Sequence, residues 1–341
     1  KIEGKVPNFV FVLLRGAADG LSMLVPYNDD YYYDARKNIA IPKEKCIEIN
    51  NTFGLNPALN YYSELYKDNQ IAFIPAAGQN ENSRSHFLSQ AMLEYGTGQI
   101  AESGFLARLT EIMKVKTISF TENISEIIKS KNITIPNITE NHIDGYYNYS
   151  DKYNSDISLI SGVENNLNLI KEIQKTKFDR STKFSKVAQL MKMTSYNTVF
   201  IDLGDWDTHS SQGSLNGKMN ELLVNLNSNI KSFRETIGSD WDNTVMVIMS
   251  EFGRTLKENG NGTDHGHGNL ITVLGGMVNK SQIAGDWLIL SKENLHEGRD
   301  LPVFYDYRSI LSEIFVKTYG LNQSQLNYIF PNVKPSSFSL V

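Results

Sequence analysis

The sequence predicts a single α/β domain in which a mostly parallel sheet is covered by helices on both faces. Short apolar runs rich in β-branched residues alternate along the chain with longer segments in which apolar residues recur at helical spacing. With 341 residues, of which 40% are apolar, the chain is long enough for one large α/β core. No repeat or linker interrupts it, so one domain over residues 1–341 is the simplest organisation.

The predicted strands are short buried runs bounded by turn signals. They lie at residues 8–14, 71–76, 117–121, 197–203, 245–249 and 270–274. Helices are predicted at residues 55–67, 87–95, 104–113, 181–194 and 216–237, with a last helix ending near residue 319. The first of them illustrates the pattern, because Pro57 lies near its start and Leu59, Tyr62 and Leu65 repeat at helical spacing. Strands that alternate with helices in this way favour parallel pairing.

Two segments lack such periodicity. Residues 27–36 are rich in Tyr and Asp and are predicted to form a surface loop. Residues 123–180 change in composition towards Asn, Ile, Lys, Ser and Tyr, with few clear signals for helix or strand. We expect this second segment to be an excursion of short elements that caps the edge of the sheet.

Composition excludes several classes of function. The formal net charge of −5 gives no reason to propose nucleic acid as a partner, because phosphate binding needs a basic face. No run approaches the roughly 18 apolar residues that a membrane-spanning helix needs. Cys46 is the single cysteine, so an internal disulfide and a thiolate metal site are both excluded.

Chemically capable side chains cluster just after the predicted strands or just before the last of them. Those positions are Asp19, Ser83, Arg84, Ser85, His86, Asp205, Asp207, His209, Glu251, Arg254, Asp264, His265 and His267. In open α/β sheets, ligands bind at the carboxyl ends of the strands. Histidine together with carboxylate suits zinc, manganese or iron, whereas carboxylates alone suit calcium or magnesium. The pattern predicts a metal site at this edge, with a purely structural polar network as the alternative.

Three parts of this set carry further local signals, and two of these parts also have a purely structural alternative. Asp207 and His209 are two residues apart, so in an extended segment their side chains lie on the same side. Ser83 and Ser85 lie near the start of a predicted helix, where free N–H groups suit anions, but either serine could instead be only an N-cap. Asp19 precedes Gly20 and could belong to a simple turn.

Five motifs occur in an order that resembles the DUF1501 family of bacterial proteins, which is grouped with the alkaline phosphatase and sulfatase superfamily. They are FVFVLLRGAADGLSMLVPY, SRSHF, GDWDTH, MSEFGR and TDHGHGNLITVLGG. The resemblance implies an alkaline phosphatase-like fold, a three-layer α/β/α sandwich with a mixed, mainly parallel sheet. It also implies one or two divalent metals at the carboxyl ends of the strands, and export from the cytoplasm.

Carried over motif by motif, the resemblance implies roles for individual residues. Metal ligands are implied at Asp19, Asp207, His209, Glu251 and His265, with Asp264 beside them. Ser85, or else Ser83, lies in the segment that carries the nucleophile. The chain departs from the pattern in three ways: SEFGR lacks the histidine of an Asp-His pair, and Asp205 and His267 are additional candidate ligands.

The predicted function is that of a metal-dependent hydrolase of phosphate or sulfate esters, with a serine nucleophile or a metal-activated water. Zinc is the favoured metal, with manganese, iron and calcium as alternatives, and the substrate would be a small-molecule or glycan ester. Arg84 or Arg254 would hold the anionic group, and His86 would orient the nucleophile or protonate the leaving group. The alternative is an exported binding or assembly protein on a scaffold that has lost turnover.

Overall fold

The computed structural model describes residues 4–144 and 182–341, together with Lys171 and Lys175. Over these residues the chain forms an eight-stranded mixed sheet between two layers of helices, which confirms the predicted α/β/α sandwich. No helix of this described part is long and apolar enough to cross a membrane.

The strands of the main sheet follow the order β10-β5-β9-β8-β1-β7-β6, and β11 also pairs with β5. Their bounds are β1 Asn8–Leu14, β5 Ile71–Gly78, β6 Thr117–Phe120, β7 Thr198–Leu203, β8 Thr244–Ser250, β9 Asn269–Leu274, β10 Gln282–Ile283 and β11 Tyr305–Asp306. A smaller antiparallel sheet contains β2 Leu24–Val25, β3 Ile47–Glu48 and β4 Gly54–Leu55. Each of the predicted strands is confirmed, with ends that differ by two residues or fewer.

The strand directions bring five loops to one edge of the sheet. β1, β7 and β8 are parallel and end together, because Leu14 pairs in register with both Leu203 and Ser250. β9 is antiparallel to its neighbours β5 and β8, so its first residue, Asn269, lies at the same edge opposite Ala77 of β5. The loops after β1, β5, β7 and β8, and the loop before β9, therefore meet there.

The helices are α1 Asp30–Ala35, α2 Asn60–Lys67, α3 His86–Tyr95, α4 Phe105–Met113, α5 Glu140–Asp144, α6 Lys183–Met193, α7 Lys218–Ile237, α8 Tyr307–Tyr319 and α9 Gln323–Ile329. Side chains alternate across β1, so Val10 and Val12 face the core formed with α2, α6 and α7. Phe9 and Phe11 face the core formed with α4, α8 and α9. Burial on both faces explains why the strands of this sheet are continuous apolar runs rather than alternating ones.

The prediction of a surface loop over residues 27–36 is wrong for most of its length. The segment contains helix α1, whose first turn is capped by Asp29 accepting a hydrogen bond from the Tyr31 amide. Tyr32 is fully buried, and its hydroxyl accepts a hydrogen bond from the Ile41 amide. Burial of Tyr32 and of Arg36, which pairs with Asp19, holds the segment against the fold, and composition alone does not indicate it.

The excursion predicted over residues 123–180 is described only as far as Asp144. A turn of 3-10 helix at Glu126–Ile128 and the strand-like contact of Asn137 with Ser119 attach its first part to the sheet. Ile127, Ile128 and Ile135 belong to the core. Apart from Lys171 and Lys175, the rest of the excursion lies outside the described residues, so its role as a cap stays a prediction.

Candidate metal centre

Four side chains converge where the loops meet at the sheet edge. The Nε2 atom of His265 lies 2.8 Å from Nε2 of His86 and 2.9 Å from Nε2 of His209. The carboxylate of Asp207 lies alongside, with Oδ2 3.3 Å from His86 Nε2 and Oδ1 3.0 and 3.4 Å from Nε2 of His209 and His265. His86, Asp207 and His265 each offer a ligand atom within 4.8 Å of the other two.

The loop that carries His265 is held against the loop after β8 by backbone contacts. The amide of Gly266 donates to the carbonyl of Gly253 at 2.7 Å, and the amide of Gly253 donates to the carbonyl of His267 at 2.9 Å. A Cβ atom added to Gly253 would lie 1.9 Å from the Gly268 carbonyl oxygen, so this approach requires glycine.

The second ring nitrogen of each histidine is occupied by an oxygen acceptor. Nδ1 of His265 lies 2.7 Å from the backbone carbonyl of Arg84, and Nδ1 of His86 and of His209 lie 3.3 Å from the carboxylates of Glu251 and Asp264. A carbonyl can only accept, so His265 donates its Nδ1 proton. Burial is the main reason why the pKa of His265 is lowered. The neutral ring therefore presents a lone pair at Nε2.

Glu251 is not one of the four converging side chains, but its carboxylate contacts Nδ1 of His86. Its buried carboxylate accepts hydrogen bonds from the Gly16 amide at 2.9 Å, the Ala17 amide, the Ser250 hydroxyl at 3.0 Å and the Gln90 side chain. Burial opposes ionisation, but the hydrogen bonds from His86, Gln90 and these amides outweigh it, so the pKa of Glu251 is lowered. The hydrogen bond to Glu251 in turn raises the pKa of His86.

Gln90 is a site residue that the sequence reasoning missed. It lies one turn after His86 on α3, so both side chains emerge on the same face. Arg15 donates to its Oε1 atom at 2.8 Å, which directs the amide nitrogen of Gln90 towards Glu251. The spacing of four residues between a candidate ligand and an amide was the available signal.

Arg254 is completely buried beneath the centre. Its guanidinium donates to the carbonyls of Gly16 at 2.6 Å, Ala17 at 2.8 Å and Thr263 at 3.1 Å, and to the carboxylate of Asp207. Partial burial alone would raise the pKa of Asp207, but the bond from Arg254 outweighs it and the pKa is lowered. Arg254 thus ties the loops after β1 and β7 together and keeps Asp207 ionised.

Asp19 and Asp205 lie elsewhere. Asp19 is buried in an ion pair with Arg36, with Oδ2 2.5 Å from Nη1 and Oδ1 3.1 Å from Nη2, and it also accepts from Ser22 and Gln212. Asp205 is exposed and adopts a φ of +72°. Among the described residues, neither carboxylate has a hydrogen bond or ion pair with the converging histidines.

The two candidate nucleophiles are engaged with the backbone. Ser85 is the N-cap of α3, and its hydroxyl accepts from the Leu88 amide at 3.4 Å. The Ser83 hydroxyl accepts from the Ser85 amide at 3.2 Å. Within the described ranges, neither hydroxyl is hydrogen-bonded to His86.

The remaining candidates flank the centre. The guanidinium of Arg84 pairs with Glu297 and, at 3.1 Å, with the buried Asp300. His267 is buried with its ring centroid 4.4 Å from that of His296, and burial lowers its pKa to about 4. These residues support the loops around the centre without placing a side chain in it.

The fold and this cluster define an α/β protein with a histidine–carboxylate centre at the carboxyl edge of its sheet. Residues 171–329 match the model of a family described as "Protein of unknown function (DUF1501)". The match supports the resemblance over that part of the chain, which contains Asp207, His209 and His265; His86 lies before it. No curated protein matches the chain in sequence.

Several solved structures are similar in fold at low sequence identity. The soluble domain of lipooligosaccharide phosphoethanolamine transferase A from Neisseria meningitidis is 10% identical, over 81% of this chain and 78% of that one, with a TM-score of 0.42. A variant of TAB5 alkaline phosphatase with magnesium bound is 12% identical, over 94% and 99%, with a TM-score of 0.42. The lipoteichoic acid synthase LtaP from Listeria monocytogenes is 9% identical, over 94% and 73%, with a TM-score of 0.41.

Proposed function

We propose that the protein is a hydrolase of phosphate or sulfate esters that depends on a divalent metal, with zinc as the favoured ion. The observation that carries the proposal is that His86, Asp207 and His265 each offer a ligand atom within 4.8 Å of the other two, with Nε2 of His209 2.9 Å from Nε2 of His265. Ligand atoms of a tetrahedral zinc site with bonds of about 2.0–2.1 Å lie about 3.3 Å apart, so the spacing of His86, Asp207 and His265 is compatible with one ion.

Hydrogen bonds alone do not account for both of the short contacts that Nε2 of His265 makes with the other two histidines. His265 donates from Nδ1 to the Arg84 carbonyl, which leaves a single lone pair at Nε2. That lone pair faces two other Nε2 atoms, of His86 and His209, and can accept only one N–H hydrogen bond. A cation would match the lone pairs of His86 and His265 together with the Asp207 carboxylate.

The residues around the centre prepare its ligands. Glu251, the Arg84 carbonyl and Asp264 each hold one histidine with Nε2 pointing inwards, as oxygen acceptors do behind metal-binding imidazoles. Arg254 keeps Asp207 ionised. We therefore assign ligand roles to His86, Asp207 and His265, which leave a fourth position of a tetrahedral ion open for water or substrate. His209 lies beside them as a further candidate ligand, and Glu251 has an orienting role instead of the ligand role expected from the sequence.

When bound, a divalent metal polarises an ester oxygen and lowers the pKa of a bound water. Because the Ser85 hydroxyl caps α3, we favour water over Ser85 as the nucleophile. The backbone amides of His86 and Phe87, in the first turn of α3, make no hydrogen bond to any described residue. They can hold the anionic group of the ester, since a helix N-terminus favours negative charge.

The test is metal analysis of the purified protein beside two variants, followed by an ester-hydrolysis screen with the metal found. We expect about one equivalent of metal in the parent and its loss in His265→Ala and Asp207→Asn. Asp205→Asn is the matched control, because it changes an exposed carboxylate in the same loop and should retain the metal. Absence of metal after reconstitution with zinc, manganese, iron or calcium would overturn the proposal.

Hydrolysis is then measured on p-nitrophenyl phosphate and p-nitrophenyl sulfate. Turnover by the metal-loaded parent, and not by His265→Ala, supports an enzyme. Metal binding without turnover on these or natural esters would favour the alternative, a scaffold that has lost activity. Export from the cytoplasm, which the family resemblance implies, remains a prediction.

A further inference from the structure

A cleft of ≈ 810 Å³ opens from the proposed metal centre. His209 and His265 line one end of it, and helix α1 and the segment 255–259 line the rest. A phosphate or sulfate group alone would leave most of this volume empty, because clefts of this size hold ligands as large as drugs or cofactors. The cleft is therefore placed to receive the alcohol part of the ester.

Most polar groups beside His209 and His265 in the cleft already have partners, although the Nε atom of Arg84 is buried without one. Arg84 pairs with Glu297 and Asp300, and Asp264 faces His209 and the Asn259 amide. Arg299 donates to the His265 carbonyl at 2.9 Å. These side chains shape the site more than they offer free donors or acceptors to a ligand.

Other side chains that line the cleft carry polar groups without such partners. The Tyr31 hydroxyl, the Asp34 carboxylate and the Lys257 ammonium have no hydrogen bond or ion pair with other described residues, although all three line the cleft. Glu258 accepts from the Asn38 amide through Oε1, but its Oε2 atom is buried without a partner. Buried polar atoms normally have partners, so Oε2 is an unsatisfied acceptor, which a ligand reaches only if the Glu258 side chain turns into the cleft.

The polar groups of Tyr31, Asp34, Lys257 and Glu258 favour a ligand rich in hydroxyl groups. Carboxylates and an ammonium together serve donors and acceptors, as a polyol requires. The lining balances three acidic side chains (Asp34, Glu258 and Asp264) against three basic ones (Arg84, Lys257 and Arg299), so it does not select a polyanion. An acyl chain would find only Ala35, Leu256 and Leu295 among apolar lining residues. The exposed ring of Tyr31 adds an aromatic surface of the kind that packs on the apolar face of a sugar ring.

We propose that the cleft binds a saccharide and that the substrate is a phosphate or sulfate ester of a sugar. This inference rests on the proposed function and specifies its substrate class. In the reaction, the oxygen of water bonds to phosphorus or sulfur as the bond to the ester oxygen breaks. The ester oxygen leaves with the sugar and takes one proton of that water, which gives the free hydroxyl.

The test compares kcat/KM of the metal-loaded protein on glucose 6-phosphate and galactose 6-sulfate with kcat/KM on the two p-nitrophenyl esters. Tyr31→Ala and Lys257→Ala should each lower the ratio of sugar-ester to aryl-ester kcat/KM about tenfold, which corresponds to about 1.4 kcal/mol. Lys37→Ala is the matched control, because Lys37 is exposed beside α1 but does not line the cleft. That ratio should be the same in this variant and the parent.

A second readout separates this inference from the proposed function. Saturation-transfer NMR with glucose and galactose measures binding without turnover, and signals lost in Tyr31→Ala support the saccharide site even if no ester is hydrolysed. Hydrolysis of aryl esters with no preference for the sugar esters, or a preference for adenosine monophosphate, would overturn the inference and leave the proposed function standing. Saturation-transfer signals of the sugars that are unchanged in both Tyr31→Ala and Lys257→Ala would overturn the inference as well.

Discussion

The Nε2 atoms of His86 and His265 lie 2.8 Å apart, and each ring has its Nδ1 atom beside an oxygen acceptor. The acceptor for His86 is the carboxylate of Glu251, whereas that for His265 is the backbone carbonyl of Arg84. When each ring carries its only proton on Nδ1, the two rings direct lone pairs at the same point, which is unfavourable unless a cation or a second proton on one ring lies between them. The contact therefore links the buried network behind α3 to the proposed metal centre.

Glu251→Gln should weaken zinc binding by about 10–100-fold, the usual effect of changing a group that orients a metal ligand. The amide would supply donors where the carboxylate accepts from His86, Gln90 and the Gly16 amide. Zinc affinity is measured by competition with a chromophoric chelator.

Glu293→Gln is the control for this prediction, because Glu293 is an exposed carboxylate outside the site. Equal zinc affinity in the parent and Glu251→Gln, with both proteins folded, would remove Glu251 from the proposed machinery. Complete loss of binding would instead favour the direct ligand role that the family resemblance implies.

The sequence was sufficient for the architecture because burial on both faces leaves a simple pattern. Runs such as 245–249 and 270–274 are apolar throughout, and the rule for parallel sheets then places the residues that follow them at one edge. The approach of His209 and His265 follows from this rule. The sequence does not indicate that β9 runs antiparallel to β5 and β8, because its residues form the same kind of apolar run as the parallel strands.

The limits of the sequence appear where a partner is distant along the chain. Asp19 has the sequence position of a ligand, but its carboxylate forms an ion pair with Arg36, which lies 17 residues further along the chain. Arg254 has the position of an anion-binding residue, but four backbone carbonyls and Asp207 surround its guanidinium. The direction of a side chain depends on such tertiary contacts, which no local spacing encodes.

Ser85→Ala should lower the free energy of unfolding by about 0.5–2 kcal/mol, the cost of losing an N-cap, and should retain ester hydrolysis. The reason is that the Ser85 hydroxyl accepts from the Leu88 amide at the start of α3. Chemical denaturation and p-nitrophenyl ester turnover are the two measurements.

Ser85→Asn is the matched variant, since asparagine caps a helix as well as serine does but carries no hydroxyl. It should recover the stability lost in Ser85→Ala. If both variants bind metal but hydrolyse no ester, Ser85 is the nucleophile, as the family resemblance implies, and the proposal of a water nucleophile fails.

Arg254→Lys should lower the free energy of unfolding by at least about 2 kcal/mol, because lysine cannot supply every hydrogen bond of the buried guanidinium. The carbonyls of Gly16, Ala17 and Thr263 would compete for fewer donors. Stability is measured by chemical denaturation, with Arg234→Lys as the control, because Arg234 is a partly exposed arginine on α7 outside the centre. Unchanged stability together with a raised KM for the ester would show instead that Arg254 holds the anionic group of the substrate.

Asp19→Asn should destabilise the fold by about 3–5 kcal/mol at pH 7, because it leaves the buried Arg36 without its counter-charge. Burial alone would raise the pKa of Asp19, but Arg36 outweighs it and the pKa lies below the ordinary value of 3.8. The stabilisation by the ionised carboxylate is therefore fully present above that value and is lost as the pH falls through the lower pKa of the folded state. Urea denaturation of the parent and variant should show a constant difference above about pH 5, and the difference should shrink below about pH 4.

Zinc affinity distinguishes this structural role of Asp19 from a ligand role. If Asp19 serves only the ion pair with Arg36, the folded Asp19→Asn variant should bind zinc as tightly as the parent, as Asp205→Asn should. A large loss of zinc affinity in Asp19→Asn, with the pH-dependent stability unchanged, would mean that Asp19 leaves Arg36 when metal binds. The centre would then include the loop after β1, as the family resemblance implies, and Arg36 would be the group that holds this ligand in the metal-free protein.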